Sequence, residues 1–311
     1  MKVFIARPRG FCAGVARAVE SVDLALKTFG PPIYVRHAIV HNQHVVNDLE
    51  KKGAVFVESL SEIPKGSKVI FSAHGVSPQV REGAKKRSLD IIDATCPLVT
   101  KVHLEAIRFA KENYSIVLIG HKGHVELKGT AGEAPNNTYT VETEKDIKEL
   151  VIPDKSKVAV LTQTTLSVND ARGLLQVLRK KYPKLKEPPK EDICYATTNR
   201  QIAVKSLTKY CDVIFVIGDP ESSNSNRLRE AAEQSSIPAY LIQSSSDIKP
   251  EQIEGVEAIG VTAGASAPEQ LIEQVIVHLQ NLGARKIEEV EEVKENMKFP
   301  LPYELSSKLK K

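Results

Sequence analysis

The chain has 311 residues, of which 41% are hydrophobic and 5% aromatic, with no tryptophan and a formal net charge of +4. Such a length predicts two or three domains with aliphatic cores, and so small a charge, part of it in the terminal SSKLKK, does not predict nucleic-acid binding, which needs a clustered basic face. There is no signal peptide, no transit peptide and no long apolar run, which predicts a soluble, cytoplasmic protein without a membrane partner, its four cysteines reduced thiols rather than disulfides.

In chain order, a strand in KVFIA leads to Cys12 and a helical stretch over 13–29, whose Val15, Val19, Val22 and Leu26 share one face. A polar loop, HAIVHN (37–42), follows, then VFVESLSEIP, then a strand running into a second polar loop, KVIFSAHGVSP (68–78). The order recurs after Cys96, with a helix over 97–113, GHKGHVE (120–126), YTVETEKDIKEL and KVAVLTQTTLS (157–167). It recurs once more after Cys194, with a helix over 198–210, GDPESSNSN (218–226), AYLIQSSSDIKPEQI and EAIGVTAGASAP (257–268). KKYPKLKEPPKED (180–192) reads as a linker between the second and third copies. The chain is therefore a threefold internal repeat, with predicted domains 1–96, 97–193 and 194–281 and a C-terminal extension 282–311 in which RKIEEV is strand-like. Short apolar strands alternating with long helices predict an α/β fold with parallel sheets and three small domains sharing one core region. All six polar loops follow strands, where ligands gather in such folds.

Cys12, Cys96 and Cys194 hold the same place in each copy, so each copy can deliver one thiolate to a shared centre. Three protein ligands leave one position open on zinc, and one iron open on an iron–sulfur cluster; the cysteines alone admit both. Cys12 and Cys96 begin helices, whose dipole favours the thiolate, while Cys211 has no counterpart and reads as an ordinary buried residue. The loops carry His41, His74, His124, Thr164, Thr165, Ser222, Ser223, Asn224 and Ser266. Neutral or weakly basic donors beside helix N-termini suit a phosphate or diphosphate. Glu126, two residues from His124, is the one carboxylate of its loop; by itself it reads as a solvated loop glutamate, and it would be a proton source beside a metal-bound substrate provided that burial and hydrogen bonding keep it protonated.

The segments GFCAGV (10–15), AHGVSP (73–78), DATCPLVTKVH (93–103), GHKGHVE (120–126), TQTTLS (162–167), DICYATTNRQ (192–201), ESSNSNRL (221–228) and GASAP (264–268) resemble those of the 4-hydroxy-3-methylbut-2-enyl diphosphate reductases. The resemblance runs from Lys2 to about Leu282 and implies a trefoil of three α/β domains around a central cluster, [4Fe–4S] when complete and [3Fe–4S] after loss of the unique iron, held by Cys12, Cys96 and Cys194. It further implies that His41, His74, His124, Ser222, Ser223, Asn224 and Ser266 grip the diphosphate of an allylic substrate, and that Thr164 and Thr165 lie near its hydroxyl. Glu126, with Thr164 and His124, would deliver the proton, and ferredoxin or flavodoxin would supply electrons. Two other readings stay open here. One is an iron–sulfur dehydratase resembling quinolinate synthase, which would need arginine or lysine at the strand ends; the other is a non-catalytic cluster-bearing sensor.

Overall fold

Apolar runs bounded by glycine, proline or polar turns become short strands, and among the described residues every strand pair is parallel. The structure is a computed structural model that describes residues 1–308. Its strands are β1 (Lys2–Arg7), β2 (Ile33–Arg36), β3 (Ala54–Val57), β4 (Lys68–Phe71), β5 (Asp90–Asp93), β6 (Ser115–Ile119), β7 (Thr138–Val141), β8 (Val158–Thr162), β9 (Val213–Ile217), β10 (Ala239–Ile242), β11 (Ala258–Ala263) and β12 (Lys286–Glu291). The helices are α1 (Ala13–Phe29), α2 (Gln43–Lys51), α3 (Pro78–Lys86), α4 (Pro97–Lys111), α5 (Val125–Glu133), α6 (Glu144–Glu149), α7 (Val168–Lys181), α8 (Tyr195–Leu207), α9 (Ser223–Glu233), α10 (Glu269–Asn281) and α11 (Tyr303–Ser306). None is long and apolar enough to cross a membrane.

Three sheets share one strand order: β3-β2-β4-β5, then β7-β6-β8, then β10-β9-β11-β1-β12. β1 thus joins the strands of the third copy, holding there the place that β5 holds beside β4. The repeats 1–96, 97–193 and 194–281 are units of sequence; the hydrogen-bonded unit is shifted by one strand and ends at the next cysteine. In the second sheet that last strand shrinks to one parallel bridge, Ala159 with Lys186. The segment 180–192 is therefore no free linker. α7 runs through Lys181, and Lys186 exchanges backbone hydrogen bonds with Val158 and Val160 at 2.8 and 2.9 Å. Pro183, Pro188 and Pro189 lack the N–H groups a longer strand would need. α8 begins at Tyr195, ahead of the expected 198, its first turn disguised by the β-branched Thr197 and Thr198.

By its internal contacts the chain forms two units. The first comprises Met1–Ala16, His41–Val45 and Tyr195–Lys298 and contains the five-stranded sheet. One face of that sheet (Ile5, Phe215, Ile217, Val261) packs on Leu271, Ile272, Val275 and Leu279 of α10. The other face (Ala6, Ile214, Val216) packs on Val204 and Leu207 of α8 and Leu228 of α9. Both faces are covered, as an all-parallel sheet requires. The second unit comprises Arg17–Val40, Val46–Cys194 and Phe299–Lys311 and contains the other two sheets. There Val117, Ile119, Val158 and Val160 face Leu178 and Tyr182, while the alternate residues Ile116, Leu118, Ala159 and Leu161 face Val102, Ala106 and Phe109 of α4. The period-two alternation follows from the pleat.

Candidate active site

Each of the three repeated cysteines stands directly before a helix: Cys12 before α1, Cys96 as the N-cap of α4 with Pro97 in the first turn, and Cys194 before α8. Each donates its backbone N–H to a carbonyl in a loop that follows a strand. Cys12 bonds to Ala265 at 3.3 Å, Cys96 to Ala73 at 3.0 Å and Cys194 to Thr164 at 3.0 Å. In every case the acceptor immediately precedes a residue that the sequence marks as a candidate for the site: Ser266, His74 and Thr165 respectively. Those three positions are equivalent, so the same scaffold presents a serine, a histidine and a threonine. None of the four cysteines is in a disulfide, and the three repeated ones are partly exposed. Cys211 differs, because burial pushes its thiol up to about 12, with the charge of Asp212 adding to the effect.

In the second unit, Glu126 is 3% exposed in the first turn of α5. Its Oε1 accepts the backbone N–H of Thr164 at 2.7 Å, and its Oε2 accepts the Thr164 hydroxyl at 2.9 Å. Burial raises the carboxyl pKa from its ordinary 4.5 to about 7, winning over both hydrogen bonds, and the charge of Asp192 pushes the same way. His124 is the N-cap of α5, its Nδ1 accepting the Glu126 N–H at 3.2 Å. A neutral His124 therefore carries its proton on Nε2. The His74 ring meets the His124 ring edge-on at 6.1 Å, and Nδ1 of His74 lies 3.2 Å from the Ser72 hydroxyl. Thr165 Oγ1 accepts from the Gln163 amide at 2.8 Å, while Gln163 Oε1 takes the His121 N–H at 3.1 Å. Gly120 is required here, because a Cβ would stand 2.6 Å from Leu127 and 2.9 Å from Gln163.

In the first unit, Ser222 caps α9, its Oγ accepting the Ser225 N–H at 3.3 Å and the Ser225 hydroxyl at 3.0 Å. The Ser266 hydroxyl donates to the His41 carbonyl at 2.9 Å and lies 3.4 Å from Ser222 Oγ. Asn224 accepts the Ala265 N–H at 2.8 Å, which ties the α9 loop to the residue that also holds Cys12. Ser223 opens α9. Cys12, His41, Ser222, Ser223, Asn224 and Ser266 thus belong to one unit; Cys96, Cys194, His74, His124, Glu126, Thr164 and Thr165 belong to the other.

Sequence reasoning missed Ser225, fully buried and pressed between Gly218 and Gly264, where a Cβ would come within 2.2 and 2.0 Å of its hydroxyl. The glycines were the signal, since each directly follows a strand, and Gly218 answers to Gly120 of the second copy. It also missed Asp192, whose buried carboxylate accepts from the Thr162 N–H at 3.0 Å and from Lys101 Nζ at 2.7 Å. Burial raises its pKa, opposed by Lys101.

The LytB protein family matches residues 3–280 of the chain. Over 304 residues the chain is 54% identical to the 4-hydroxy-3-methylbut-2-enyl diphosphate reductase of Azoarcus sp. (strain BH72), covering 98% of this chain and 97% of the relative. It is 53% identical over 301 residues to 4-hydroxy-3-methylbut-2-enyl diphosphate reductase 2 of Burkholderia mallei (strain ATCC 23344), covering 97% and 92%. Among solved structures, the E-1-hydroxy-2-methyl-but-2-enyl-4-diphosphate reductase from Plasmodium falciparum superposes with a TM-score of 0.97 at 43% identity, over 99% of this chain and 98% of that one. A structure of (E)-4-hydroxy-3-methyl-but-2-enyl diphosphate reductase, the terminal enzyme of the non-mevalonate pathway, gives 0.65 at 34% identity, over 90% and 100%. These likenesses favour the reductase over the dehydratase and sensor readings, and the chain belongs to the LytB protein family of 4-hydroxy-3-methylbut-2-enyl diphosphate reductases.

Proposed function

We propose that this chain reduces (E)-4-hydroxy-3-methylbut-2-enyl diphosphate to isopentenyl and dimethylallyl diphosphate in the cytoplasm, with Cys12, Cys96 and Cys194 holding one [4Fe–4S] cluster. The donor set fits such a group. Three partly exposed cysteines outside any disulfide sit at the positive ends of helices, where thiolates are favoured, while the buried, high-pKa Cys211 is unsuited to ligation. When bound, a cluster with three protein ligands leaves one iron able to take the substrate oxygen and passes electrons one at a time; loss of that iron gives [3Fe–4S]. Ferredoxin or flavodoxin is the electron source in this reading.

The reaction takes up two electrons and two protons, breaks the allylic C–O bond, releases water and forms one C–H bond. This chain's part is to bind, to orient and to supply a proton. His41, His74, His124, Ser222, Ser223, Asn224 and Ser266 grip the diphosphate, and the N-termini of α5 and α9 add their dipoles. Thr164 and Thr165 meet the substrate hydroxyl. Glu126 is the acid, held by Thr164 and supported by His124.

The observation that carries the reading is the Glu126 carboxyl, buried and raised to about 7, so that a substantial fraction keeps its proton at neutral pH. Glu126→Gln is expected to keep the cluster absorbance and diphosphate affinity while turnover by reduced, anaerobic protein falls by at least ~100-fold. Full turnover in that variant would remove Glu126 from the role of acid.

A further inference from the structure

Each helix that follows a repeated cysteine carries a basic residue at nearly the same distance from it: Arg17 in CAGVAR, Lys101 in CPLVTK and Arg200 in CYATTNR. Cations near a helix N-terminus oppose its dipole, so helix stability does not account for three of them in register. The structure gives each the same kind of partner. Arg17 donates from Nη1 to the Thr95 carbonyl at 3.0 Å and from Nη2 to that of Asp93 at 3.4 Å, just before Cys96. Lys101 donates from Nζ to the carbonyls of Lys190 and Glu191 at 2.6 and 3.3 Å and to the Asp192 carboxylate at 2.7 Å, just before Cys194. Arg200, only 1% exposed, donates from Nη2 and Nε to the Gly10 carbonyl at 2.8 and 3.2 Å, two residues before Cys12.

The order is cyclic along the repeat. The helix after the first cysteine holds the approach to the second, the second holds the third, and the third holds the first. A carbonyl fixed by a cation fixes its rigid peptide plane, and so the direction in which the chain arrives at the cysteine. Two of the three cations are braced by the C-terminal extension. Arg17 Nε donates to the Pro300 carbonyl at 2.7 Å, and Arg200 Nη1 donates to the Glu295 carboxylate at 3.0 Å, beside an Asn199 amide that reaches the same oxygen at 3.0 Å.

We propose that Arg17, Lys101 and Arg200 are positioning residues for the three cysteines, each setting the segment that delivers the next one, so that losing any of them loosens the hold on the iron–sulfur cluster. The proposal rests on the cluster reading above. It explains why backbone carbonyls ahead of a cysteine, rather than only carboxylates, receive the charge in all three copies.

The test uses full-length chain reconstituted anaerobically with ferrous iron and sulfide, then challenged with a ferrous chelator well below its unfolding temperature while the visible cluster absorbance is followed. Arg17→Met, Lys101→Met and Arg200→Lys are expected to bleach about 10- to 100-fold faster than wild type, the range for groups that orient metal ligands. Lys101→Arg, which restores the charge, is expected to bleach more slowly than Lys101→Met. Arg81→Met supplies the control: it removes the 2.9 Å pair between Arg81 and the buried Glu133, which holds no segment ahead of a cysteine, and should bleach at the wild-type rate. If Arg200→Lys fails to fold, Glu295→Gln weakens the same brace and should also bleach faster. Wild-type bleaching rates in all the positioning variants, or equal acceleration in Arg81→Met, would overturn this proposal alone. A wild-type chain that takes up neither iron nor sulfide would overturn the cluster reading and the proposal with it.

Discussion

At the scale of single residues, the strongest pH signature belongs to Glu126. Its folded pKa, about 7, lies above the ordinary 4.5, so the folded chain keeps a proton that the unfolded chain sheds first. The sign follows from linkage: burial of the group costs little below about 4.5, and the cost grows as pH rises to about 7 and is full above it. A shift of that size corresponds to ~3 kcal/mol. Glu126→Gln cannot ionise, so its stability relative to wild type should rise by about that amount across the same window, read from urea unfolding at both ends. A gap that is flat with pH would show that the carboxyl titrates normally. Turnover should fall as pH rises through about 7, since the proposed working form of Glu126 is the acid. In the sequence the residue stood out only as the lone carboxylate of its loop, and the acid role came with the family resemblance. Its bond to Thr164 was not legible there, because that contact joins positions far apart in the chain and depends on which sheet edge each loop leaves.

At the scale of elements, local patterning located most helices and strands, and α1 and the start of α4 lie where the sequence put them. Sheet membership was less legible: β1 is as apolar as any first strand, and nothing local says that it pairs with β11 and β12. The basic residue after each cysteine was visible in CAGVAR, CPLVTK and CYATTNR, yet charge on a helix normally reads as a solvated face. The junction of the β11 loop with α9 is tighter than sequence implied. A methyl at Gly264 would stand 2.0 Å from Ser225 Oγ and 3.1 Å from its Cβ, and Ser225 is fully buried. Gly264→Ala should therefore cost ~1–3 kcal/mol as an overpacked site, and adding Ser225→Ala should recover part of that loss by removing the clashing hydroxyl. The coupling is read from a double-mutant cycle in denaturant. Strict additivity would mean that the two groups do not compete for the same space.

At the scale of the whole molecule, the C-terminal extension was the least legible part, since 282–311 carries no motif beyond the strand-like RKIEEV. That strand forms as β12 and pairs in parallel with β1, but it is an edge strand of lysine and glutamates whose Ile287 is 37% exposed. Charged, poorly buried edges resist pairing with other chains and store little packing energy. Farther on, the short α11 lies against β5, the strand that leads to Cys96, and buries Leu305 to 1% exposure. The two ends of the extension therefore differ in what holds them: for β12, backbone hydrogen bonds, the pairs of Glu289 with Arg7 and Arg9 and a partly buried Val290; for α11, the buried Leu305. Ile287→Ala should change stability by no more than ~0.5 kcal/mol, as expected of a surface substitution. Leu305→Ala should cost ~2–5 kcal/mol, the range for emptying a filled apolar site. Because Pro300, a few residues before α11, accepts from Arg17, release of that helix should also speed the bleaching of a reconstituted cluster. Unfolding midpoints that rank the two substitutions in the opposite order would place the anchor of the extension in β12.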